Sequence, residues 1–328
     1  MVNVAVLDDY QDVALKMADW RVLPSNARVQ VFRDHLPQVG AVAERLKGFE
    51  VVAAMRERTP FQRDLLERLP NLRLLVTTGS GNRAIDLDAA TRLGIVVCGT
   101  AGLGYPTAEL TWGLILALAK NIVTEDAAVR RGVWQTTVGT ELRGKVLGCL
   151  GLGRLGSLVA NIGKAFGMEA IAWSQNLTAE KAAQHGVTLV PKDELFSRSD
   201  VVTVHLVLSA RTTGLVGARE LGLMKPTAYL INTSRGPIVD EAALVKALRM
   251  RTIAGAGLDT FDEEPLPPDH PFKSLANTVL TPHIGYVTQK GYEIFFRETV
   301  EDIAAYLKGQ PVRVLNPEAL KSARARPS

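Results

Sequence analysis

Apolar, β-branched runs alternate with amphipathic stretches from the first residues of this chain. V-N-V-A-V-L (2–7), R-V-Q-V-F (28–32), E-V-V-A-A (50–54), L-R-L-L-V (72–76) and I-V-V-C (95–98) read as strands, with helical patterns around 41–47, 61–69 and 86–93 between them. Mostly apolar strands separated by helices predict a parallel sheet covered on both faces. A long helical segment follows, from Thr107 to about Arg131, apolar in its first half and charged in its second, and it reads as a connector between domains. The alternation then resumes with K-V-L-G-C-L (145–150), E-A-I-A-W (169–173), D-V-V-T-V (200–204), A-Y-L-I-N (228–232), I-A-G-A-G-L (253–258) and T-V-L (278–280). Helices at 154–166, 178–185 and 240–250 fall between these runs, which predicts a second α/β domain of doubly wound type. The helical stretch from about Gln289 to Leu307 has nowhere to pair within that series and is expected to pack back on the first domain. The pattern therefore predicts two doubly wound parallel-sheet α/β domains with a cleft between them, one discontinuous (1–102 and 286–328) and one continuous (103–285).

A length of 328 residues, 47% hydrophobic and 22% charged, is globular in composition and exceeds the roughly 100–200 residues of one domain. No run of about 18 apolar residues lacks a polar break. The start M-V-N-V-A-V-L-D-D lacks the basic opening and cleavage pattern of a signal peptide, so a soluble cytoplasmic protein without a membrane partner is expected. Cys98 and Cys149 each sit in an apolar strand-like run, which predicts two core residues and neither a disulfide nor a metal site. The net charge of +4 comes from scattered Lys and Arg with no aromatic-interleaved basic stripe, so no nucleic-acid partner is expected. A slight positive balance suits a small anionic ligand instead. The densest basic spot, K-S-A-R-A-R-P-S (321–328), reads as a frayed tail.

Gly151-Leu152-Gly153-Arg154-Leu155-Gly156 follows the strand 145–150 directly and opens a helix. In such a turn the first glycine permits the tight bend, the second lets the backbone approach a pyrophosphate, and the third lets helix pack on strand. The amides of Arg154 and Leu155 would meet the phosphates of a dinucleotide. The residue expected to choose between NAD and NADP lies at the end of the next strand, about 20 residues on. That position is Ser174, followed by Gln175 and Asn176. No carboxylate is present there to hold a ribose or repel a 2′-phosphate, and no arginine follows to attract one, so the choice between NAD and NADP stays open.

Three segments each follow a strand of the second domain at its carboxyl end, where ligands bind in open α/β sheets: N-T-S-R-G-P (232–237), L-D-T-F-D-E-E-P-L-P (258–267) and T-P-H-I-G (281–285). Reduction of a 2-keto acid needs a cation to bind and polarise the substrate, an acid to protonate the emerging alkoxide, and a group that sets that acid's proton affinity. Arg235, His283 and Glu264 meet these needs in that order. The planar fork of Arg235 suits a carboxylate or carbonyl oxygen. Glu264 would pair with the imidazole and favour its charged form, from which reduction starts, whereas oxidation starts from the neutral form. Each residue also has a plainer reading: Arg235 as a helix cap or ion-pair partner, Glu264 as part of a solvated acidic run with Asp262 and Glu263, and His283 as a satisfied core histidine.

The chain resembles the D-isomer-specific 2-hydroxyacid dehydrogenase family, which includes glyoxylate/hydroxypyruvate reductases and phosphoglycerate dehydrogenases. The segments that carry the resemblance appear in order over nearly the whole chain: T-T-G-S-G-N-R-A-I-D (77–86), P-T-A-E-L (106–110), G-L-G-R-L-G (151–156), L-M-K-P-T-A-Y-L-I-N-T-S-R-G-P-I-V-D (223–240), G-L-D-T-F-D-E-E-P-L-P (257–267) and T-P-H-I-G (281–285). The resemblance implies a Rossmann cofactor domain and a flavodoxin-like substrate domain, closing on hinges near 100–104 and 285–288. It implies hydride transfer between NAD or NADP and a small 2-keto or D-2-hydroxy acid, glyoxylate- or hydroxypyruvate-like, and a homodimer built through the cofactor domain. Arg235, Glu264 and His283 match the family's catalytic arginine, glutamate and histidine, and Asp259 matches an aspartate near the nicotinamide carboxamide. Ser80 and Gly81 fall where backbone amides take the substrate carboxylate, and a glycine-rich turn there could equally form an anion nest on physical grounds alone. Thr107 reads either as a cofactor contact or as the N-cap of the long helix.

The chain also departs from the family pattern. His205-Leu206-Val207-Leu208 replaces the usual H-x-P-L, and Ser174 replaces the acidic ribose ligand. Tyr286, Met55 and Arg56 stand where substrate specificity could vary. Two alternatives share the scaffold: a phosphite- or formate-type dehydrogenase, of which the formate type pairs its histidine with glutamine where this chain has Glu264, and a non-catalytic nucleotide-sensing protein of corepressor type.

Overall fold

The computed structural model describes residues 1–326. Two compact units form, one from Met1–Leu103 together with the chain from Thr288 on, the other from Gly104–Val287. In the first, β1 (Val2–Val6), β2 (Ala27–Val31), α1 (Val39–Leu46), β3 (Val51–Ala54), α2 (Arg63–Leu66), β4 (Leu74–Thr77), α3 (Leu87–Arg92) and β5 (Val96–Gly99) follow one another. The strand order is β2-β1-β3-β4-β5 with every neighbouring pair parallel, the flavodoxin-like order. β3, β4 and β5 are buried at every position, so both faces of the sheet must be covered.

The second unit runs α4 (Pro106–Ala119), α5 (Ile122–Arg130), β6 (Val146–Leu150), α6 (Arg154–Ala165), β7 (Glu169–Trp173), α7 (Ala179–Ala183), β8 (Thr188–Leu189), α8 (Lys192–Arg198), β9 (Val201–Val204), α9 (Ala218–Leu223), β10 (Tyr229–Asn232), α10 (Glu241–Arg249), β11 (Gly255–Leu258) and β12 (Thr278–Leu280). Its sheet is parallel throughout in the order β12-β11-β10-β9-β6-β7-β8. The order reverses between β6 and β9, which makes that pair the switch point where ligands bind in such sheets. Cys149 is buried in this unit and Cys98 in the first, and burial pushes each thiol up to about 12.

The side chains divide by the period of two that a strand dictates. In the first unit Ala5, Val52, Ala54, Leu75 and Val97 pack with Val42, Leu46, Leu65, Leu66 and Ala90 from α1, α2 and α3. The intervening Val4, Val51, Leu74, Val76, Val96 and Cys98 pack instead with Val300, Ile303 and Tyr306 of α11 (Gln289–Leu307). The outer edge of β5 is closed by the backbone at 313–315, which pairs antiparallel through Cys98 and Val314, and by Asn316, which accepts the Val97 N–H at 2.8 Å and donates to the Ile95 carbonyl at 2.9 Å.

Two expectations are corrected. The single helix from Thr107 to Arg131 is two helices, because Asn121 adopts a left-handed backbone (φ +52°) between α4 and α5. Asparagine tolerates that conformation, and its side chain donates to Val138 O at 3.3 Å, tying the break to the segment that follows α5. The basic C-terminal segment is docked rather than frayed. Arg324 donates to the carbonyls of Leu69 and Leu72 at 2.8 and 3.0 Å, Arg73 donates to Arg326 O at 2.8 Å, and Ala325 is buried. Pro327 and Ser328 of that segment lie outside the described residues. Among the described residues no helix is long and apolar enough to cross a membrane.

Candidate active site

At the carboxyl end of β6 the chain turns through three glycines, each with its own reason. Gly151 has φ +102°, and a Cβ on it would lie 2.8 Å from the His205 carbonyl oxygen. Gly153 faces open space, so its backbone is bare to an approaching ligand. Gly156 sits in the first turn of α6, where a Cβ would come within 2.1 Å of the Gly151 carbonyl oxygen. The Gly151 N–H donates to Trp173 O at 2.8 Å and ties the turn to the end of β7. The first amides of α6, including those of Arg154 and Leu155, have no acceptor inside the helix, and with its positive end they favour an anion. A cradle that any side chain would fill, ending in free amides at the switch point, fits a dinucleotide pyrophosphate.

Ser174 follows β7 and is half-buried, with Gln175 and Asn176 exposed beside it. His205, after β9, shares a 3.0 Å hydrogen bond with Thr203 Oγ1, and burial pushes its imidazole down to about 4, which leaves it neutral.

Arg235 stands on a turn fixed by side chains that the pattern of apolar residues does not reveal. Asn232, the last residue of β10, accepts the Ser234 N–H at 3.0 Å and donates to Arg235 O at 2.9 Å. The Ser234 hydroxyl donates to Leu206 O, and Thr233 shares a 2.8 Å hydrogen bond with Thr111 of α4. Arg235 Nη1 donates to Ser234 O at 2.7 Å. The next residue, Gly236, is in backbone contact with the loop after β11. A Cβ there would lie 2.1 Å from the Phe261 carbonyl carbon and 2.6 Å from the Asp262 nitrogen.

That same loop carries Glu264. Its Oε1 accepts the Phe261 N–H at 2.9 Å, and its Oε2 meets His283 Nδ1 at 2.6 Å. A carboxylate only accepts, so Nδ1 carries the hydrogen and Nε2 is the atom left to gain or lose a proton. His283 has φ +52°, a backbone that a non-glycine residue holds only when its surroundings impose it. Asp259 imposes it. Its Oδ1 accepts from the Thr281 hydroxyl at 2.6 Å and the Ile284 N–H at 2.8 Å, and its Oδ2 accepts from the Gly285 N–H at 2.9 Å. Burial pushes the Asp259 carboxyl up, and these three hydrogen bonds and His283 pull against that rise. Tyr286 meets the His283 ring edge-on at 5.5 Å. Thr107 Oγ1 donates to Gly285 O at 3.1 Å from the first turn of α4. The helix cap is Tyr105, so the reading of Thr107 as N-cap is corrected: Pro106, which needs no N–H partner, already opens the helix.

In the first unit β4 leads into Thr78 and Gly79 (φ +93°), then the exposed Ser80 and Gly81. Asn82 is buried and donates to Thr77 Oγ1 at 2.9 Å and Arg56 O at 2.6 Å. Arg56, after β3, has φ +51°, and its N–H donates to Thr78 Oγ1 at 2.9 Å. Its Nη1 donates to Thr78 O at 3.1 Å and lies 1.8 Å from where a Cβ on Gly79 would stand. Only glycine at 79 leaves room for that guanidinium. The left-handed backbone at Arg56 has no signature in the order of residues.

A parallel sheet with a phosphate-type glycine turn at its switch point, and a histidine–carboxylate pair at the same carboxyl edge, is the layout of a dinucleotide-binding domain with a proton-exchanging group beside it. Residues 112–285 match the model of the D-isomer specific 2-hydroxyacid dehydrogenase NAD-binding domain. Over 269 residues the chain is 44% identical to a glyoxylate reductase of Aeropyrum pernix, covering 79% of this chain and 80% of that one. A phosphoglycerate oxidoreductase structure from Vibrio cholerae superposes with a TM-score of 0.89 at 34% identity, covering 94% of this chain and 100% of that one. A D-lactate dehydrogenase from Aquifex aeolicus, complexed with NAD and lactic acid, superposes with a TM-score of 0.77 at 29% identity, covering 99% of this chain and 100% of that one. The chain belongs to the D-isomer specific 2-hydroxyacid dehydrogenase family and is an NAD(P)-dependent oxidoreductase of 2-hydroxy acids.

Proposed function

We propose that this enzyme interconverts a small 2-keto acid, glyoxylate or hydroxypyruvate, with its D-2-hydroxy acid, and that Arg235, Glu264 and His283 carry the chemistry. The observation that carries this reading is the 2.6 Å contact of His283 Nδ1 with Glu264, on a loop packed against the Arg235 turn. In reduction, protonated His283 gives its Nε2 proton to the carbonyl oxygen and becomes neutral; oxidation returns it. The nicotinamide, when bound, supplies the hydride that reduces the carbonyl carbon or accepts it in the reverse direction. Arg235 binds the acid and polarises its carbonyl oxygen, which lowers the cost of the developing negative charge. Glu264 holds the imidazole in one tautomer and balances its positive charge. In the first unit the amides of Ser80 and Gly81 take the substrate carboxylate, with Met55 and Arg56, just after β3, as positions that discriminate among acids.

Gly151, Gly153, Arg154, Leu155 and Gly156 would hold the pyrophosphate, Ser174 the adenosine ribose, and Thr107 and Asp259 the nicotinamide end. The hydroxyl of Ser174 and the amides of Gln175 and Asn176 can hydrogen-bond a ribose or its 2′-phosphate, so both NADH and NADPH are expected to serve. A panel of glyoxylate, hydroxypyruvate, pyruvate and phenylpyruvate, each with NADH and NADPH, tests both halves. The highest kcat/KM is expected for glyoxylate or hydroxypyruvate, with the two cofactors within about tenfold of each other, equivalent to ~1.4 kcal/mol. No turnover of any of these acids, or strict rejection of NADPH, would contradict the corresponding half.

The active form is proposed to be a homodimer joined through the second unit. The segment after α5 is pinned in one shape: Glu125 accepts from Thr136 N and from the hydroxyls of Thr136 and Thr137, and Lys120 donates to Thr140 O. Yet it shows water Val133, Trp134 (76% exposed) and Val138 (94%), and α5 adds Ile122, Val123 and Val129. Large apolar side chains left in water on a hydrogen-bonded segment and the helix before it are what a second copy would cover. Sedimentation should give a dimer for the native chain and a monomer for Trp134→Glu; a native monomer would refute the assignment.

A further inference from the structure

The loop that presents Ser80 and Gly81 is held from outside its own strand. Gly79 and Thr100 exchange two hydrogen bonds, from Gly79 N–H to Thr100 Oγ1 at 2.8 Å and from Thr100 N–H to Gly79 O at 3.0 Å. Thr100 is buried, and its hydroxyl spends its own hydrogen on Ala101 O at 2.9 Å, so its lone pairs must face Gly79. The Gly79 and Thr100 backbones meet with nothing between them, since a Cβ on Gly99 would lie 2.8 Å from Gly79 O.

The segment 99–101 is clamped in turn. Ala101 N–H donates to Glu298 Oε2 of α11 at 2.6 Å, and Gly99 N–H donates to Arg313 O at 3.1 Å. Arg313 ties back to the same helix through Nη2 to Glu298 O and Nε to Asp302 Oδ1, both at 2.9 Å. A continuous chain of hydrogen bonds therefore runs from α11 through Ala101 and Thr100 to Gly79, the residue from which the two exposed amides are suspended.

We infer that Thr100 and Glu298 are positioning residues for the amides of Ser80 and Gly81, and that they set affinity for the 2-keto acid without touching it. The inference rests on the reading of those amides as the carboxylate site. An anion bound by backbone N–H groups is sensitive to their direction, because a hydrogen bond weakens steeply as its angle closes. Ser80 and Gly81 are exposed and cannot fix that direction by packing; the paired bonds at Gly79 on one side and the buried Asn82 on the other do it for them.

The test is Thr100→Val, which keeps the shape and removes the acceptor, with Thr100→Ser restoring it. With the fastest acid of the panel, Thr100→Val should raise KM about tenfold, the loss expected for about one hydrogen bond, while kcat and the NADH dissociation constant stay within about twofold. Thr100→Ser should return KM toward the native value, and Glu298→Gln, which keeps an acceptor oxygen, should be milder than Glu298→Ala. An unmoved KM in Thr100→Val, or a fall in melting temperature and kcat with KM unchanged, overturns the inference. Gly81→Pro removes one of the proposed carboxylate donors itself and separates the two levels. If its KM is unchanged, the carboxylate site lies elsewhere; if it rises while that of Thr100→Val does not, only the positioning role fails.

Discussion

Replacing His283 by alanine is expected to lower kcat by ~10²- to 10⁴-fold while leaving the NADH dissociation constant unchanged. The size follows from the geometry: Nδ1 is committed to Glu264 at 2.6 Å, so Nε2 is the one atom of the pair positioned to exchange a proton with an alkoxide. Alanine keeps the Cβ and with it the left-handed strain that His283 already bears, but it removes the hydrogen bond to Glu264 that helps hold the loop, which blurs the result. His283→Asn is the cleaner companion, because asparagine accepts a left-handed backbone and still lacks a titrating nitrogen. Steady-state turnover and fluorescence titration of NADH on both variants decide the matter, and native turnover in either would place the acid elsewhere.

Gly236→Ala should be damaging out of proportion to one methyl group. The added carbon would lie 2.1 Å from the Phe261 carbonyl carbon and 2.3 Å from its oxygen, backbone atoms with no rotamer to yield. Overpacking of this kind costs about 1–3 kcal/mol, or roughly 2–12 °C of melting temperature for a unit of this size. Relief requires the 235–236 turn and the 261–264 loop to move apart, so kcat should fall together with stability. Gly222→Ala, with nothing within 4 Å of its new carbon, is the matched control and should behave as native. A Gly236→Ala variant with native melting and turnover would show that the two loops are not packed as described.

The strands were legible because each is a dense apolar run broken by glycine or a polar residue. L-R-L-L-V and K-V-L-G-C-L mark β4 and β6 to within a few residues of Leu74–Thr77 and Val146–Leu150. β8 was not, since Thr188–Leu189 is too short to carry a period. The split at Asn121 was missed because a single left-handed residue leaves the spacing of apolar positions on either side unchanged. The docked tail was missed for a related reason: Arg324 and Arg73 are charged side chains acting as donors to buried-edge carbonyls, which composition reads as solvated. At the site, residue type and position after a strand singled out Glu264 and His283, but nothing in a linear pattern predicts that Asp259 would wrap the 281–285 loop around its carboxylate. The same holds for Asn232, a polar residue ending an apolar strand, whose two bonds shape the Arg235 turn.

The placement of α11 also bears on how the chain is made. One face of the five-stranded sheet, lined by Val4, Val51, Leu74, Val76, Val96 and Cys98, is covered by Val300, Ile303 and Tyr306. A chain emerging from the ribosome N-terminus first has all of Gly104–Val287 outside before that helix exists. The nucleotide-binding unit can therefore fold while the unit that began first is still waiting, with its apolar face bare until α11 arrives to cover it.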